Sequence, residues 1–148
     1  MARRRGRARN VFWGSFILEW FKHLQDHELS AADYRILFYL CERMMTGDNT
    51  AHVRQKTIAK DLAMDKGNVS KCIKKLCTKQ FIAKADNGYM INPNLFYVGI
   101  RDRNDREDLR DNFDDLLTES PRFYMNEDEH ELEVFPQTYD DDVDKPPF

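Results

Sequence analysis

The chain has 148 residues and a net charge of -3; 41% of it is hydrophobic and 33% charged. That length suits one domain with an appendage, and a mean hydropathy of -0.74 keeps a core from extending over all of it. No apolar run approaches the roughly 20 residues that cross a bilayer, so a soluble protein of the cytoplasm, without membrane contact, is expected. The net charge conceals a gradient. Residues 1–9 carry five Arg and no acid, residues 10–100 twelve Lys or Arg against nine acids, and residues 101–148 six against seventeen. A basic head, a mildly basic body and an acidic tail imply separate jobs. The sequence pI of 5.8 taken alone argues against nucleic acid, but the charge map argues for it.

In chain order, residues 1–10 read as a disordered basic arm. Arg5-Gly6-Arg7 resembles the core of an AT-hook, whose two Arg lie along a narrow A·T minor groove. The Pro that usually flanks that motif is missing, and a polycation that raises affinity without reading sequence is the plainer alternative. The apolar stretch Val11 to Leu18 after the Arg run has a faint signal-peptide look. Glu19 and Lys22 interrupt it too early, so export is not expected.

The apolar spacing of Phe16, Ile17, Trp20, Phe21 and Leu24 predicts a helix over 16–25. Ser30 and Asp33 form a capping-box pattern that opens a second helix, with Tyr34, Leu37, Phe38, Cys41 and Met44 or Met45 as its buried stripe. Gly47 within 46–49 ends it, and 51–53 reads as a short extended stretch. A short helix over 55–62 buries Ile58, Ala59 and Leu62. After a tight turn at 63–65, a helix over 66–79 buries Val69, Cys72, Ile73 and Leu76. Asn87-Gly88 between 81–84 and 89–92 signals a β-hairpin, and Pro93 ends the sheet. An amphipathic helix is expected over 105–117, with Leu109, Phe113, Leu116 and Leu117 on one side. The remainder, acidic and aperiodic, reads as disordered. The expected domains are therefore 1–10 (arm), 11–100 (DNA-binding domain), 101–118 (amphipathic helix) and 119–148 (tail).

Catalytic chemistry has no obvious place. There is no phosphate-cradling glycine loop and no His-hydrophobe-His pair beside a Tyr nucleophile. His23 and His27 share a helical spacing but lack further ligands, so a solvated surface is their expected setting. Cys41, Cys72 and Cys77 show neither disulfide nor zinc spacing and read as buried reduced thiols. No catalytic residue, metal or cofactor is expected.

Helix, short helix, tight turn, helix and hairpin in this order is the plan of a winged helix-turn-helix. The expected fold class is mainly α with a small β-wing, followed by the C-terminal helix and the acidic tail. Residues 51–84 carry nine Lys or Arg against two Asp. On the third helix of this plan, Lys71 and Lys74 lie opposite the buried stripe, flanked by Asn68, Ser70, Lys75 and Thr78, with Lys66 at the helix start. Lys supplies phosphate affinity, while Asn and Ser can read base edges. Gln55, Lys56 and Thr57 occupy a helix N-terminus, a natural phosphate site, and Lys84 and Asn87 fall on the wing. Double-stranded DNA is the partner these residues suit. A solvated basic face on a protein-binding winged helix is the competing reading.

Three segments carry a resemblance to a known family: Ser30 to Leu37, Gln55 to Leu62 with Asn68 to Leu76, and above all Gly88-Tyr89-Met90-Ile91-Asn92-Pro93-Asn94-Leu95 followed by Gly99. Over 16–99 the chain resembles the RepL family of plasmid replication proteins. The resemblance implies a sequence-specific DNA binder that positions replication machinery at a plasmid origin or controls copy number, without cutting DNA. Plasmid-borne proteins of the same shape act as transcriptional regulators, and that alternative stays open. Two further pairs of readings remain. The 105–117 helix either forms a homodimer or folds back on its own domain; a dimer would bind paired half-sites about one helical turn apart. The tail either solubilises the chain, competes for the basic face, or docks on replication machinery. For the last, Glu131-Leu132-Glu133-Val134-Phe135 loosely resembles the pentapeptide with which bacterial proteins dock on the sliding clamp.

Overall fold

A computed structural model describes residues 13–99 and 101–137; the basic arm, with Arg5 and Arg7, and residues 138–148 lie outside them. The chain runs β1 (Gly14–Phe16), α1 (Trp20–Leu24), α2 (Ala31–Arg43), β2 (Thr50–Ala51), α3 (Gln55–Leu62), α4 (Lys66–Thr78), β3 (Ile82–Ala85), β4 (Gly88–Ile91), β5 (Phe96–Val98), α5 (Arg103–Leu116), β6 (Phe123–Asn126) and β7 (Glu131–Val134). Three small antiparallel sheets result, with orders β1-β5, β2-β4-β3 and β6-β7. Of the described residues 43% are helical and 19% are in strands, so this is a mixed α/β fold. The expectation of a mainly α fold with one small wing is thereby corrected.

Two local corrections share one cause, the capture of residues by tertiary partners. The helix expected over 16–25 begins only at Trp20, because Phe16 is claimed by a strand. Its ring stacks on Phe96 at 4.1 Å, and Ile17 N–H donates to the Leu95 carbonyl at 2.8 Å. In α2 the capping box is complete, with Asp33 N–H donating to the Ser30 hydroxyl at 3.2 Å and Ser30 N–H to the Asp33 carboxylate at 2.8 Å. The buried stripe, however, is Asp33, Ile36, Leu37, Leu40 and Met44, whereas Phe38 and Met45 are 53% and 52% exposed. Burying Asp33 turns the helix by about one residue from the expected face.

The main core gathers Trp20, Ile36, Leu37, Leu40, Ile58, Val69, Leu76, Phe81 and Ile91, each fully buried. On the far side of the β2-β4-β3 sheet, α5 lays Leu109 and Phe113 against Ala83 and Met90. The sheet is covered on both faces, and the apolar seam of α5 is spent inside its own chain. This removes the reading of α5 as a dimerisation helix.

The expected disordered tail is also corrected as far as residue 137. Phe123 and Leu132, from the β6-β7 hairpin, are 1% and 4% exposed within the main core. Phe123 stacks on Phe81 with centroids 6.1 Å apart. Leu132, the second residue of the pentapeptide that loosely resembles a clamp-docking motif, is therefore unavailable to a partner in this fold. The turn of the hairpin is clamped by Glu127. Its carboxylate accepts two bonds from Arg106, at 2.8 and 2.6 Å, and one from Arg110 at 2.6 Å.

The Arg106 hydrogen bonds, opposed by burial and helped by Arg110, hold the Glu127 carboxyl down at about 2, from an ordinary 4.5. A depressed carboxyl contributes stability that is complete above its unfolded value and lost as pH falls through its folded one. About 3 kcal/mol should accordingly disappear between about pH 4.5 and 2. Glu127→Gln should flatten that part of a stability-pH curve measured by urea unfolding.

Side-chain amides finish the sheets where strands stop. Buried Asn49, in the left-handed region at φ 57, donates to the Ile91 and Phe96 carbonyls at 2.8 and 3.0 Å and accepts Val98 N–H at 3.0 Å. Asn92 donates to the Gln80 carbonyl at 2.8 Å and accepts from Asn94, whose own oxygen accepts Met125 N–H at 2.9 Å. Gln80 in turn binds the Ser120 carbonyl at 2.8 Å and Arg122 N–H at 2.7 Å. The Asn92-Pro93-Asn94 motif thus ties the hairpin β3-β4 to the C-terminal segment.

Gly88 is required for closeness rather than for backbone freedom. The β3-β4 register pairs Ala85 with Gly88, leaving Asp86 and Asn87 as the loop, and neither Asn87 nor Gly88 has a positive φ. A Cβ on Gly88 would lie 2.2 Å from the Ala51 carbonyl oxygen of β2. Because that atom is backbone, Gly88→Ala should cost about 3 kcal/mol, readable as a lowered urea midpoint at unchanged m-value.

Candidate nucleic-acid interface

α3 and α4 are joined by a tight turn whose Ala63 sits in the left-handed region at φ 52, its N–H donating back to the Ala59 and Lys60 carbonyls. α4 then starts on Asp65, whose carboxylate accepts Asn68 N–H at 3.2 Å. With Val69, Cys72, Ile73 and Leu76 facing inward, Lys66, Asn68, Ser70, Lys71 and Lys74 are all exposed. Among the described residues, Lys66, Lys71 and Lys74 have no carboxylate partner.

The C-terminal half of α4 is treated differently. The Lys75 ammonium, expected at the DNA face, lies 2.8 Å from the Asp33 carboxylate and 2.9 Å from the Glu28 carbonyl. Lys79 pairs with Asp26 at 2.6 Å and Glu28 at 2.7 Å. Burial pushes the Asp33 carboxyl up, but the bonds from Lys75, Ser30 and Cys72 outweigh it and leave it below its ordinary value. The same bond to Asp33 raises Lys75. Acids before α2 and in its first turn therefore neutralise one end of α4 and leave the other bare.

Lys56 and Thr57 are exposed in the first turn of α3, which has no side-chain cap on its N-terminus. Gln55 is half-buried, donating from its amide to the Tyr89 hydroxyl at 3.1 Å. That contact holds α3 against the hairpin, and a cleft lined by Arg54, Gln55, Lys84 and Asn87 lies between them. The exposed Lys84 ammonium stands 5.3 Å over the Tyr89 ring. Asn87 meets His52 Nδ1 at 3.2 Å, and His52 Nε2 lies 2.8 Å from Asp48.

Sequence reasoning missed His52 and the acidic bracket of Asp26, Glu28 and Asp33. Nothing in the local pattern marks His52. Asp33 had a signal, since its position continues the Ile36, Leu37, Leu40 stripe inward as well as completing the cap. All three thiols are reduced, and burial raises Cys41 to about 12 and Cys72 and Cys77 to about 11. Among the described residues, no group of three or more His, Cys, Asp or Glu is arranged to hold a metal ion. No helix there is long and apolar enough to cross a membrane.

The fold and its bare basic face accompany a match that identifies the class: a plasmid replication protein. The chain belongs to the RepL family, described as Firmicute plasmid replication protein, whose family model matches residues 13–137. The matched region includes α5 and the β6-β7 hairpin, beyond the 16–99 stretch that carried the resemblance. No curated protein and no solved structure matches the chain.

Proposed function

We propose that this replication protein binds double-stranded DNA sequence-specifically at a plasmid origin, or controls copy number there, without cutting the DNA. In this reading α3 and α4 act as a helix-turn-helix and the β3-β4 hairpin as its wing. α4 enters the major groove, where Asn68 and Ser70 meet base edges and Lys66, Lys71 and Lys74 meet phosphates or guanine. Lys56, Thr57 and the α3 N-terminus take a phosphate beside the helix, and Lys84 and Asn87 take the backbone near the wing. Gln55 and Lys75 act one step back, holding α3 and α4 in place. The supporting observation is the division of α4, whose C-terminal lysines are matched with internal acids while Lys66, Lys71 and Lys74 are not.

The test is a nuclease footprint of the full chain along its own gene and both flanks. Repeated protected sites near an A·T-rich stretch are expected. A single patch over the promoter would instead make it a transcriptional regulator, and no protection at low salt would leave a protein-binding adaptor. The five lysines at positions 56, 66, 71, 74 and 84 should contribute about -4.5 to the log-log salt slope if each neutralises one phosphate. Removing residues 1–9 should weaken binding to every sequence and make the slope shallower, checked by fluorescence anisotropy across a salt series. An unchanged slope would exclude the arm from the complex.

A further inference from the structure

β1 is a strand with one side paired and one side open. Toward β5 its backbone is satisfied: Ser15 lies opposite Tyr97, Ile17 N–H donates to the Leu95 carbonyl at 2.8 Å, and Gly99 N–H to the Trp13 carbonyl at 2.5 Å. The opposite edge of β5 is closed by the Asn49 amide, which bonds both Phe96 and Val98. The outer edge of β1 has no such cover among the described residues, and all three of its residues are exposed. An uncovered strand edge is a template for another strand.

Large apolar side chains stand on both faces of the chain beside this edge. Trp13 and Leu18 are each 76% exposed, and Phe16 and Phe21 are 42% and 43% exposed. Residues 11–18 contain no charge in a chain that is 33% charged. At about 200 Å² for a large apolar side chain, the four exposures amount to roughly 450 Å² per copy. Complete cover of these side chains in two copies would remove at most roughly 900 Å², so the paired backbone has to supply the remainder of the roughly 1,000 Å² of a stable interface.

From this edge we infer a homodimer in which β1 pairs antiparallel with β1 of a second copy about a two-fold axis. The occupant is a second copy because a short antiparallel edge is complementary to itself under two-fold symmetry, and an uncharged patch meets itself without repulsion. Ser15 sits at the axis. Its N–H and C=O face β5, so the two Ser15 residues form the non-hydrogen-bonded pair, with Cα atoms about 4.5 Å apart. Gly14 and Phe16 supply the hydrogen bonds across the axis. This inference concerns the face of β1 and does not depend on DNA binding.

Sedimentation velocity of the full chain at tens of micromolar should give twice the 17.6 kDa chain mass, and the dimer should persist at high salt. Replacing Trp13 and Leu18 together by Ser should give a monomer with unchanged circular dichroism, whose melting temperature is lower than that of the wild type and no longer depends on protein concentration. Under mild oxidation Ser15→Cys should form a reducible cross-linked dimer that the wild-type cysteines do not. A monomeric wild-type chain, a dimer that survives Trp13→Ser with Leu18→Ser, or a Ser15→Cys chain that fails to cross-link would each overturn the proposal. The last outcome includes the case in which residues 1–12 of the same chain cover the edge.

Discussion

Replacing Lys71 and Lys74 together by Ala is expected to reduce specific DNA binding on the order of 100-fold or more, since each good contact at a base edge is worth about 1–3 kcal/mol. The salt slope should fall by about 1.8 if both side chains instead neutralise phosphates. Either way the fold should be untouched. Both side chains are exposed and neither makes an ion pair among the described residues, so unfolding free energy should move by no more than about 0.5 kcal/mol. Lys75→Ala is the informative contrast. It strips a partner from an Asp33 that is 1% exposed, so it should cost about 2 kcal/mol in stability with a salt slope close to that of the wild type. An unchanged footprint in the Lys71 and Lys74 double variant would remove α4 as the reading element.

Cutting the chain after Thr118 is expected to unfold it or leave it barely stable, melting far below a chain cut after Gln137. The first cut removes Phe123 and Leu132 from the main core and exposes the face of Phe81 on which Phe123 stacks. Truncating one buried Phe to Ala already costs about 3–5 kcal/mol, and a whole domain has only about 5–15 kcal/mol to lose. The same cut orphans polar groups in the interior: Gln80 loses Ser120 and Arg122, Asn94 loses Met125, and Arg106 loses Glu127. Circular dichroism melts of the two truncations settle the matter. If the shorter chain melted like the longer one, the β6-β7 hairpin would be an ornament rather than part of the domain.

The helices α2, α3 and α4 and the β3-β4 hairpin were legible because each carries its own local signal. The Ser30 and Asp33 cap, the inward spacing of Val69, Cys72, Ile73 and Leu76, and the residues around Asn87-Gly88 are such signals. What escaped depends on partners distant in sequence. The 14–16 strand exists because Phe96 and Leu95, some eighty residues later, pair with it. The C-terminal hairpin has few apolar residues among many acids, so composition reads as disorder. Two of them, Phe123 and Leu132, suffice because Phe81 and the amides of Gln80 and Asn94 wait for that segment. In the candidate site, residue type and helical face indicated which lysines point outward. They could not show that Lys75 and Lys79 meet acids some fifty positions earlier in the chain. The Asn-Gly signal located the hairpin correctly but for another reason, since Gly88 is needed to admit β2.

The close approach of Ala51 to Gly88 and the backing of the same sheet by α5 leave the β3-β4 hairpin no slack. It is pinned at its tip-side strand by backbone and on its outer face by Leu109 and Phe113. In a duplex seated on this surface, a poor fit cannot be absorbed by a swinging hairpin, so the bending and twisting fall on the DNA. Sequences that deform cheaply, such as TA or CA/TG steps, would then be preferred even where no side chain reaches a base. If the proposed DNA binding holds, stiffness in the protein would become a means of selecting pliant DNA.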